Sequence, residues 1–214
     1  MGTPSSRDDP RAEDLTARAR IRDTAMRMFA DRGADGTSMR AVAAEAGVSI
    51  GLVQHHFGSK AGLRKACDDF AIGSMLDEAR AAASSGDPFT TPMNREVDEL
   101  VLRYLGRALI DGSTTAAELF DAGAELAESW FAANWPERFG PDEAGAARAR
   151  AAAAAMSAMH LGPIALHSHL SRRLGVNALD DENRALIPTA ITDVYQAMAT
   201  LFDNAQTSRG AEHE

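Results

Sequence analysis

The sequence predicts an all-α protein with a small N-terminal three-helix domain and a larger helical C-terminal domain. Three observations support this fold class. Apolar residues recur at helical spacing in every long segment, and no segment alternates apolar and polar residues as a half-buried strand would. Clusters of glycine, proline, serine and aspartate separate the helical segments. The apolar content of 45% in a chain of 214 residues is sufficient for a folded core.

The N-terminal end of the chain predicts an arm followed by a long helix. Residues 1–14 are polar, contain prolines and lack an apolar period, so we expect them to be disordered. The first helix is predicted from Leu15 or Thr16 to Arg32, with Gly33 ending it. One stripe of this helix is apolar and would supply much of the core of the domain. The stripe consists of Ile21, Ala25, Met28 and Phe29.

Residues 37–60 predict two short helices joined by a tight turn, followed by the start of another helix. Gly47 can end the first helix in the left-handed conformation, and Ser49 can cap the second. Val53 and Phe57 lie four residues apart and would point inward, which leaves the start of the second helix exposed. The apolar stripe of the first helix consists of Met39, Val42, Ala43 and Ala46.

This arrangement is typical of a helix-turn-helix, whose second helix enters the DNA major groove while the first crosses the backbone. An ordinary helical hairpin would show the same spacing, but the exposed residues favour DNA. Gln54 can pair with adenine, and Ile50 or Leu52 can contact a thymine methyl group. The other polar residues can donate to phosphates, and a glycine lets the backbone approach closely. The predicted DNA-binding residues are Thr37, Ser38, Arg40, Ser49, Ile50, Gly51, Leu52, Gln54, His55, His56 and Lys60.

The same segment resembles the tetracycline-repressor (TetR) family of bacterial transcriptional regulators. The resemblance extends from about Ala19 to Leu63 through three motifs in register, IRDTAMRMFADRG, TSMRAVAAEAGVS and GLVQHHFGSKAGL. In the recognition helix, the family usually has an aromatic residue, commonly tyrosine, where this chain has Gln54. The phosphate contact of that tyrosine therefore has no direct counterpart, and we hypothesise that Gln54 contacts a base instead.

The resemblance also implies that the chain consists of two functional domains. Residues 15–62 would form the DNA-binding domain, and residues 63–206 an effector-binding and dimerisation domain, followed by a disordered tail at 207–214. In this family the last two long helices pair with those of a second subunit, which implies a homodimer. Such a dimer would bind a palindromic double-stranded DNA operator with half-sites about 34 to 36 Å apart.

The charge of the chain is divided in the same way. Residues 1–65 carry 11 Lys/Arg and 8 Asp/Glu, a net charge of +3, whereas residues 66–214 carry 11 and 23, a net charge of −12. A basic domain on an acidic body would orient the protein on DNA. An acidic surface that only keeps the protein in solution would give the same total of −9.

Beyond the helix-turn-helix, the pattern predicts five further helices. A turn-rich break is expected at 84–92 and a loop at 135–141, and Gly162 with Pro163 would kink the fourth of these helices. The predicted helices lie at about 60–84, 93–111, 114–134, 141–174 and 181–204, the third as one helix or two.

Aromatic residues, methionines and a histidine of the C-terminal domain could line a pocket for a small apolar or amphipathic effector. Each of them could equally be a core residue, which is the commoner role at helical spacing. The candidate pocket residues are Met75, Tyr104, Phe120, Trp130, Phe131, Met156, Met159 and His160.

No cofactor, metal site or catalytic activity is predicted. His160 and His167 share a helix face but would be about 10.5 Å apart along the axis, and His169 points elsewhere. The chain lacks G-x-S-x-G, a glycine-rich phosphate loop and a Cys–His pair, so we do not expect an enzyme. A single cysteine, Cys67, and the absence of an apolar signal segment or membrane span favour the cytoplasm.

Taken together, the patterns favour a regulator that binds DNA, in the simplest case a repressor released by a small molecule. The alternatives are an activator, a regulator that needs no effector, and a small-molecule-binding helical protein whose N-terminal domain serves a partner other than DNA. The salt dependence of binding separates the last of these, because phosphate contacts weaken steeply with salt.

Overall fold

The computed structural model describes residues 10–84, 97–183 and 185–194. None of these residues lies in a β-strand, and most are helical, which confirms the predicted all-α class. The chain divides into two compact units. The head unit contains Met1–Ser74 and Asp98–Leu119, and the body unit contains Met75–Val97 and Phe120–Glu214. The predicted functional boundary between residues 62 and 63 is a different kind of division, and it stays a prediction.

The helices follow one another with short connections. Two of them, α4 and α6, contribute residues to both units. In chain order the helices are α1 (Pro10–Arg32), α2 (Met39–Glu45), α3 (Ile50–Phe57), α4 (Lys60–Ser84), α5 (Glu99–Ile110), α6 (Thr114–Asn134), α7 (Pro136–Phe139), α8 (Glu143–Ala165) and α9 (His167–Leu174). Residues 186–194 are also helical.

In the head unit, α1 is the central element and packs against α2, α3 and α5. Its predicted apolar stripe is buried, with Ile21 and Ala25 fully inaccessible to solvent. The loop from α1 to α2 is tied down by Thr37, whose hydroxyl donates to the carbonyls of Met28 and Gly33 at 3.2 and 3.0 Å. These bonds satisfy carbonyls at the end of α1 and fix where α2 begins.

Helix α5 packs on the head unit, although the sequence placed it in the C-terminal domain. Tyr104 is buried, its ring lies 6.4 Å from that of Phe29, and its hydroxyl donates to the carboxylate of Asp68 on α4. At the surface, Arg103 pairs with Asp31 at 2.5 Å. The buried ring accounts for most of this packing, because an exposed ion pair contributes little to stability.

In the body unit, α8 buries a stripe of mostly small residues, which allows a neighbouring helix to approach closely. A Cβ atom added to Gly123 of α6 would lie 3.3 Å from the hydroxyl oxygen of Ser157 on α8. The small side chains predicted from the alanine-rich sequence therefore serve close helix packing. The buried stripe consists of Gly145, Ala149, Ala153, Ser157, Leu161 and Ile164.

Several predicted boundaries were wrong. Helix α1 begins at Pro10, so residues 10–14 are helical and do not belong to an arm; proline is tolerated in a first turn. The predicted loop after α6 contains the short helix α7, with Pro136 at its first position. The predicted helix at 141–174 is two helices that meet at Leu166, and Pro163 lies within the first of them.

Other predictions hold or lie outside the described residues. Helix α4 has the predicted bounds, and 114–134 is one helix. Residues 1–9, most of the break at 84–92, the start of the helix at 93–111, the end of the last helix and the tail at 207–214 lie outside the described residues. Where it is described, no helix is long and apolar enough to cross a membrane.

Candidate nucleic-acid interface

Three serine caps define the helices of the helix-turn-helix. The hydroxyl oxygens of Ser38, Ser49 and Ser59 each accept a hydrogen bond of 3.1 Å from a backbone amide in the first turn of α2, α3 and α4. Gly47 and Gly58 separate these helices, and both have positive φ angles, of 67° and 71°. Because only glycine adopts this conformation easily, the two turns are fixed by the sequence.

Helix α3 is anchored by one face and exposes the other. Val53 is fully buried and Phe57 is 8% exposed, as the four-residue spacing predicted. The opposite face is exposed and contains Ile50, Gly51, Gln54 and His55, whereas Leu52 is half-buried. The first turns of α3 can therefore approach an external partner without disturbing the core.

Two cations lie on the helices before and after α3, Arg40 on α2 and Lys60 at the first position of α4. Within the described part of the chain, no carboxylate pairs with either of them. Lysine in a first turn opposes the helix dipole, so an external phosphate would be its most favourable partner. By contrast, Lys65 is bonded to Asp69 at 2.7 Å and is already paired.

Two residues that the sequence placed at the interface have other roles. Thr37 is only 2% exposed, because both of its hydrogen bonds are directed into the α1–α2 loop. The side chain of His56 is 4% exposed, and its Nε2 atom lies 3.4 Å from the carboxylate of Asp14 on α1. Sequence reasoning missed Asp14, because residues 1–14 were expected to be disordered.

Near this contact, a groove of about 610 Å³ opens between α1 and α4 at the end of α3. Its walls carry both charge and apolar surface. Arg22 lies 3.4 Å from the ring centroid of Phe70, and Arg18 lies 5.6 Å from that of Phe57. Both arginines therefore stabilise aromatic rings of the head unit through cation–π contacts, beyond any interaction with DNA.

The predicted effector pocket is only partly assembled. Trp130, Phe131 and Met156 come together in the body unit around two buried alanines, Ala127 and Ala153. Trp135 and Phe139 extend this aromatic cluster, with ring centroids 4.9 to 6.4 Å apart. Both residues were expected in a loop. Phe131, Trp135 and Phe139 follow one another at intervals of four residues, and this spacing was the signal that would have placed them here.

The remaining pocket candidates do not belong to this cluster. Tyr104 lies in the head unit, where its hydroxyl donates a hydrogen bond to the carboxylate of Asp68. Met75 is buried, Phe120 is half-buried, and Met159 is 37% exposed. The Nδ1 atom of His160 is bonded to the carbonyl of Met156 at 2.8 Å. Burial lowers the pKa of His160, so the neutral imidazole is favoured at neutral pH.

Metal and thiol chemistry find little support in the described regions. No three His, Cys, Asp or Glu side chains lie close enough together there to hold a metal ion. The Nδ1 atom of His167 lies at hydrogen-bond distance, 2.8 Å, from the carbonyl oxygen of Ile164. Burial raises the pKa of the Cys67 thiol to about 12, which keeps it protonated and unreactive.

Comparison with known proteins agrees with this geometry. Residues 21–67 match the family described as bacterial regulatory proteins, tetR family. The chain is 42% identical over 123 residues to the HTH-type transcriptional regulatory protein RaaS of Mycobacterium tuberculosis, which covers 56% of this chain and 58% of RaaS. It is 36% identical over 94 residues to the HTH-type transcriptional repressor Rv3405c of the same species, covering 44% and 47% of the two chains. The chain thus matches about half the length of these relatives.

Solved structures share the fold over most of the chain. A TetR-family transcriptional regulator from Pectobacterium atrosepticum aligns with a TM-score of 0.54 at 18% identity, covering 89% of this chain and 95% of that one. A tetR-family regulator from Streptomyces coelicolor aligns with a TM-score of 0.50 at 20% identity, covering 99% and 87%. At such identities the similarity establishes the fold alone.

Proposed function

We propose that the chain, whose residues 21–67 match the family described as bacterial regulatory proteins, tetR family, is a member of that family and regulates transcription by binding an operator in double-stranded DNA. The observation that carries this proposal is the exposed face of α3. Ser49 caps this helix and Val53 and Phe57 anchor it, so that its first turns are presented in a fixed orientation. A recognition helix needs this combination of a rigid anchor and a free reading face.

The roles of the side chains follow from their places on α3 and beside it. Gln54 is exposed and has the amide that pairs bidentately with adenine. Arg40 and Lys60, which have no carboxylate partner in the described part of the chain, would neutralise phosphates on either side. These phosphate contacts would fix the register of the head unit, and Gln54 would supply sequence information.

Replacing Gln54 by alanine is expected to relax base preference at one position in each half-site. Losing a bidentate pair costs about 1 to 3 kcal/mol of discrimination, which is roughly five- to 150-fold. Competition binding with operators that carry each of the four bases at that position measures the effect. His55→Ala, which removes an exposed neighbour on the same helix, is the matched control and should keep the preference. An unchanged base preference in Gln54→Ala would show that Gln54 reads no base.

The proposal extends to a homodimer and a repressor. Heads in a two-fold pair would occupy half-sites about 34 to 36 Å apart, so the operator should be palindromic. Repression is the simplest mode for a DNA binder that blocks access to a promoter, and one relative is named a repressor. The chain would work in the bacterial cytoplasm, where the DNA is, and needs no catalytic activity for this task.

Release by a small apolar or amphipathic effector is the regulatory part of the proposal. The aromatic cluster of the body unit offers Trp130, Phe131 and Met156 as contacts for such a molecule. Helices α4 and α6 each contain residues of both units, so a change in the body can reach the head along a continuous helix. Thermodynamic linkage then requires that operator DNA weakens effector binding by the same factor.

An effector that binds beside the aromatic cluster is expected to change tryptophan fluorescence. Trp130 and Trp135 are the two tryptophans of the chain, and their ring centroids are 4.9 Å apart. The Trp130→Phe variant should lose most of the response while Trp135→Phe retains part of it, because Trp130 packs on the buried alanines whereas Trp135 is 39% exposed. An effector that releases DNA without any change in tryptophan emission would place its site elsewhere.

A further inference from the structure

The first turns of α1 hold the C-terminal end of α3 at two adjacent residues. The carboxylate of Asp14 lies 3.4 Å from Nε2 of His56, and the guanidinium of Arg18 lies 5.6 Å from the ring centroid of Phe57. Asp14 and Arg18 are four residues apart and so share one face of α1. We call these two contacts the α1–α3 clasp.

The contact between Asp14 and His56 is unusual because the imidazole side chain is almost completely buried. The His56 side chain is 4% exposed, its Nε2 atom is inaccessible to solvent, and no hydrogen bond satisfies it. The carboxylate of Asp14 lies 3.4 Å from that nitrogen, which is beyond the usual N–H···O distance. A neutral imidazole gains little here, whereas a protonated one gains a charged partner.

We propose that Asp14 is a positioning residue for DNA recognition, because its carboxylate holds His56 and thereby fixes the orientation of α3 on α1. The inference rests on the proposed DNA-binding function. Base contacts come from the first half of α3, and the clasp restrains the other end of the same helix. A small tilt about Val53 would move Gln54 relative to a base edge, and bidentate pairing tolerates only a few tenths of an ångström. Asp14 also lies outside residues 21–67, so the family match does not account for it.

Base discrimination gives this role a signature that a merely structural contact would lack. If the clasp fixes where Gln54 meets a base, loosening it should reduce the preference for the correct base more than the affinity for DNA in general. Affinity for DNA in general comes from phosphate contacts, which carry no sequence information.

Other charged groups also face His56 and must be accounted for. Arg18 is on α1, and His55 on α3 has its ring centroid 5.5 Å from that of His56. On α4, Lys65 and Asp69 line the same groove and are bonded to each other at 2.7 Å. His55→Gln is the necessary control, because it changes the exposed neighbour of His56 and leaves the clasp intact.

The test is an anisotropy titration of two labelled duplexes at constant pH and ionic strength, the operator and the same duplex with the base contacted by Gln54 replaced. The proteins are the full chain, Asp14→Asn, His56→Gln, the double variant, and His55→Gln with and without Asp14→Asn. Asp14→Asn should reduce the ratio of the affinities for the two duplexes by about three- to fivefold. It should do so equally in the His55→Gln background and have no further effect in the His56→Gln background. Urea unfolding of the free proteins is measured in parallel.

The two measurements separate the alternatives. An affinity ratio that is the same in Asp14→Asn and in the unmodified chain overturns the inference. A lower urea midpoint of unfolding without any change in the affinity ratio also overturns it, because the contact would then stabilise the head without positioning α3. If the unmodified chain binds no duplex, the proposed function fails together with the recognition role, and the unfolding data still show whether Asp14 and His56 interact.

Discussion

Replacing Phe57 by alanine is expected to lower the free energy of unfolding by about 3 to 5 kcal/mol. Phe57 is 8% exposed at the end of α3, and its ring is covered by Arg18 on α1 and by the ring of His56. Removing the ring leaves a cavity where α1, α3 and α4 meet, and the helices around it can close only partly. Because a small domain has little stability to lose, the head unit should unfold before the body unit.

Urea unfolding followed by circular dichroism measures this loss. Phe70→Ala is the matched control, since Phe70 lies on α4 in the same unit but is 38% exposed. It should cost about 1 kcal/mol or less, although its contact with Arg22 makes some loss certain. Equal losses in the two variants would mean that Phe57 is not the anchor of α3 described above.

The second large effect is expected at Gly62, in the first turn of α4. A Cβ atom built there would collide with the carbonyl oxygen of Phe57, which is backbone and cannot rotate away. The backbone amide of Gly62 also donates a hydrogen bond of 3.1 Å to the hydroxyl oxygen of Ser59, which caps α4. This bond further restricts the backbone of the turn from α3 to α4. Gly62→Ala should therefore lower the free energy of unfolding by about 1 to 3 kcal/mol.

Gly73→Ala is the control for this prediction, because it makes the same change in the same helix. A Cβ atom at Gly73 would meet nothing within 4 Å. Alanine is the better helix former, so this variant should gain about 0.5 to 1 kcal/mol. The opposite signs of the two changes, measured in the same unfolding assay, would establish the close contact between α3 and α4. Stabilisation in both variants would show that the turn is looser than described.

The helix-turn-helix could be predicted because its determinants are local. Serine caps, glycines at positive φ and a four-residue apolar spacing all act within a few residues of the chain. The start of α4 followed from Ser59 for the same reason. The anchoring of α3 by Val53 and Phe57 and the exposure of Gln54 were predicted correctly by this reasoning.

The errors concern contacts between distant parts of the sequence. Helix α5 packs on α1 through Tyr104, and no local pattern indicates which unit receives an amphipathic helix. The start of α1 was missed because residues 10–14 have no apolar period. Asp14 interacts with His56, 42 positions further along the chain, and no local sequence pattern indicates a contact between residues so far apart. The aromatic cluster was only half predicted, because proline at 136 indicated a loop where it begins a short helix.

The central claim is that α3 and its flanking cations form an operator-binding surface. Selection of bound sequences from random duplex DNA, followed by anisotropy titration of the selected duplex across salt concentrations, tests it most directly. The account predicts a palindrome with half-sites about one helical turn apart, bound with a steep negative dependence of log affinity on log salt. Lys60→Ala should weaken binding to all sequences and reduce the slope by about one. Failure to enrich any sequence, with weak binding to every duplex, would contradict the claim and leave α2 and α3 as an ordinary helical hairpin.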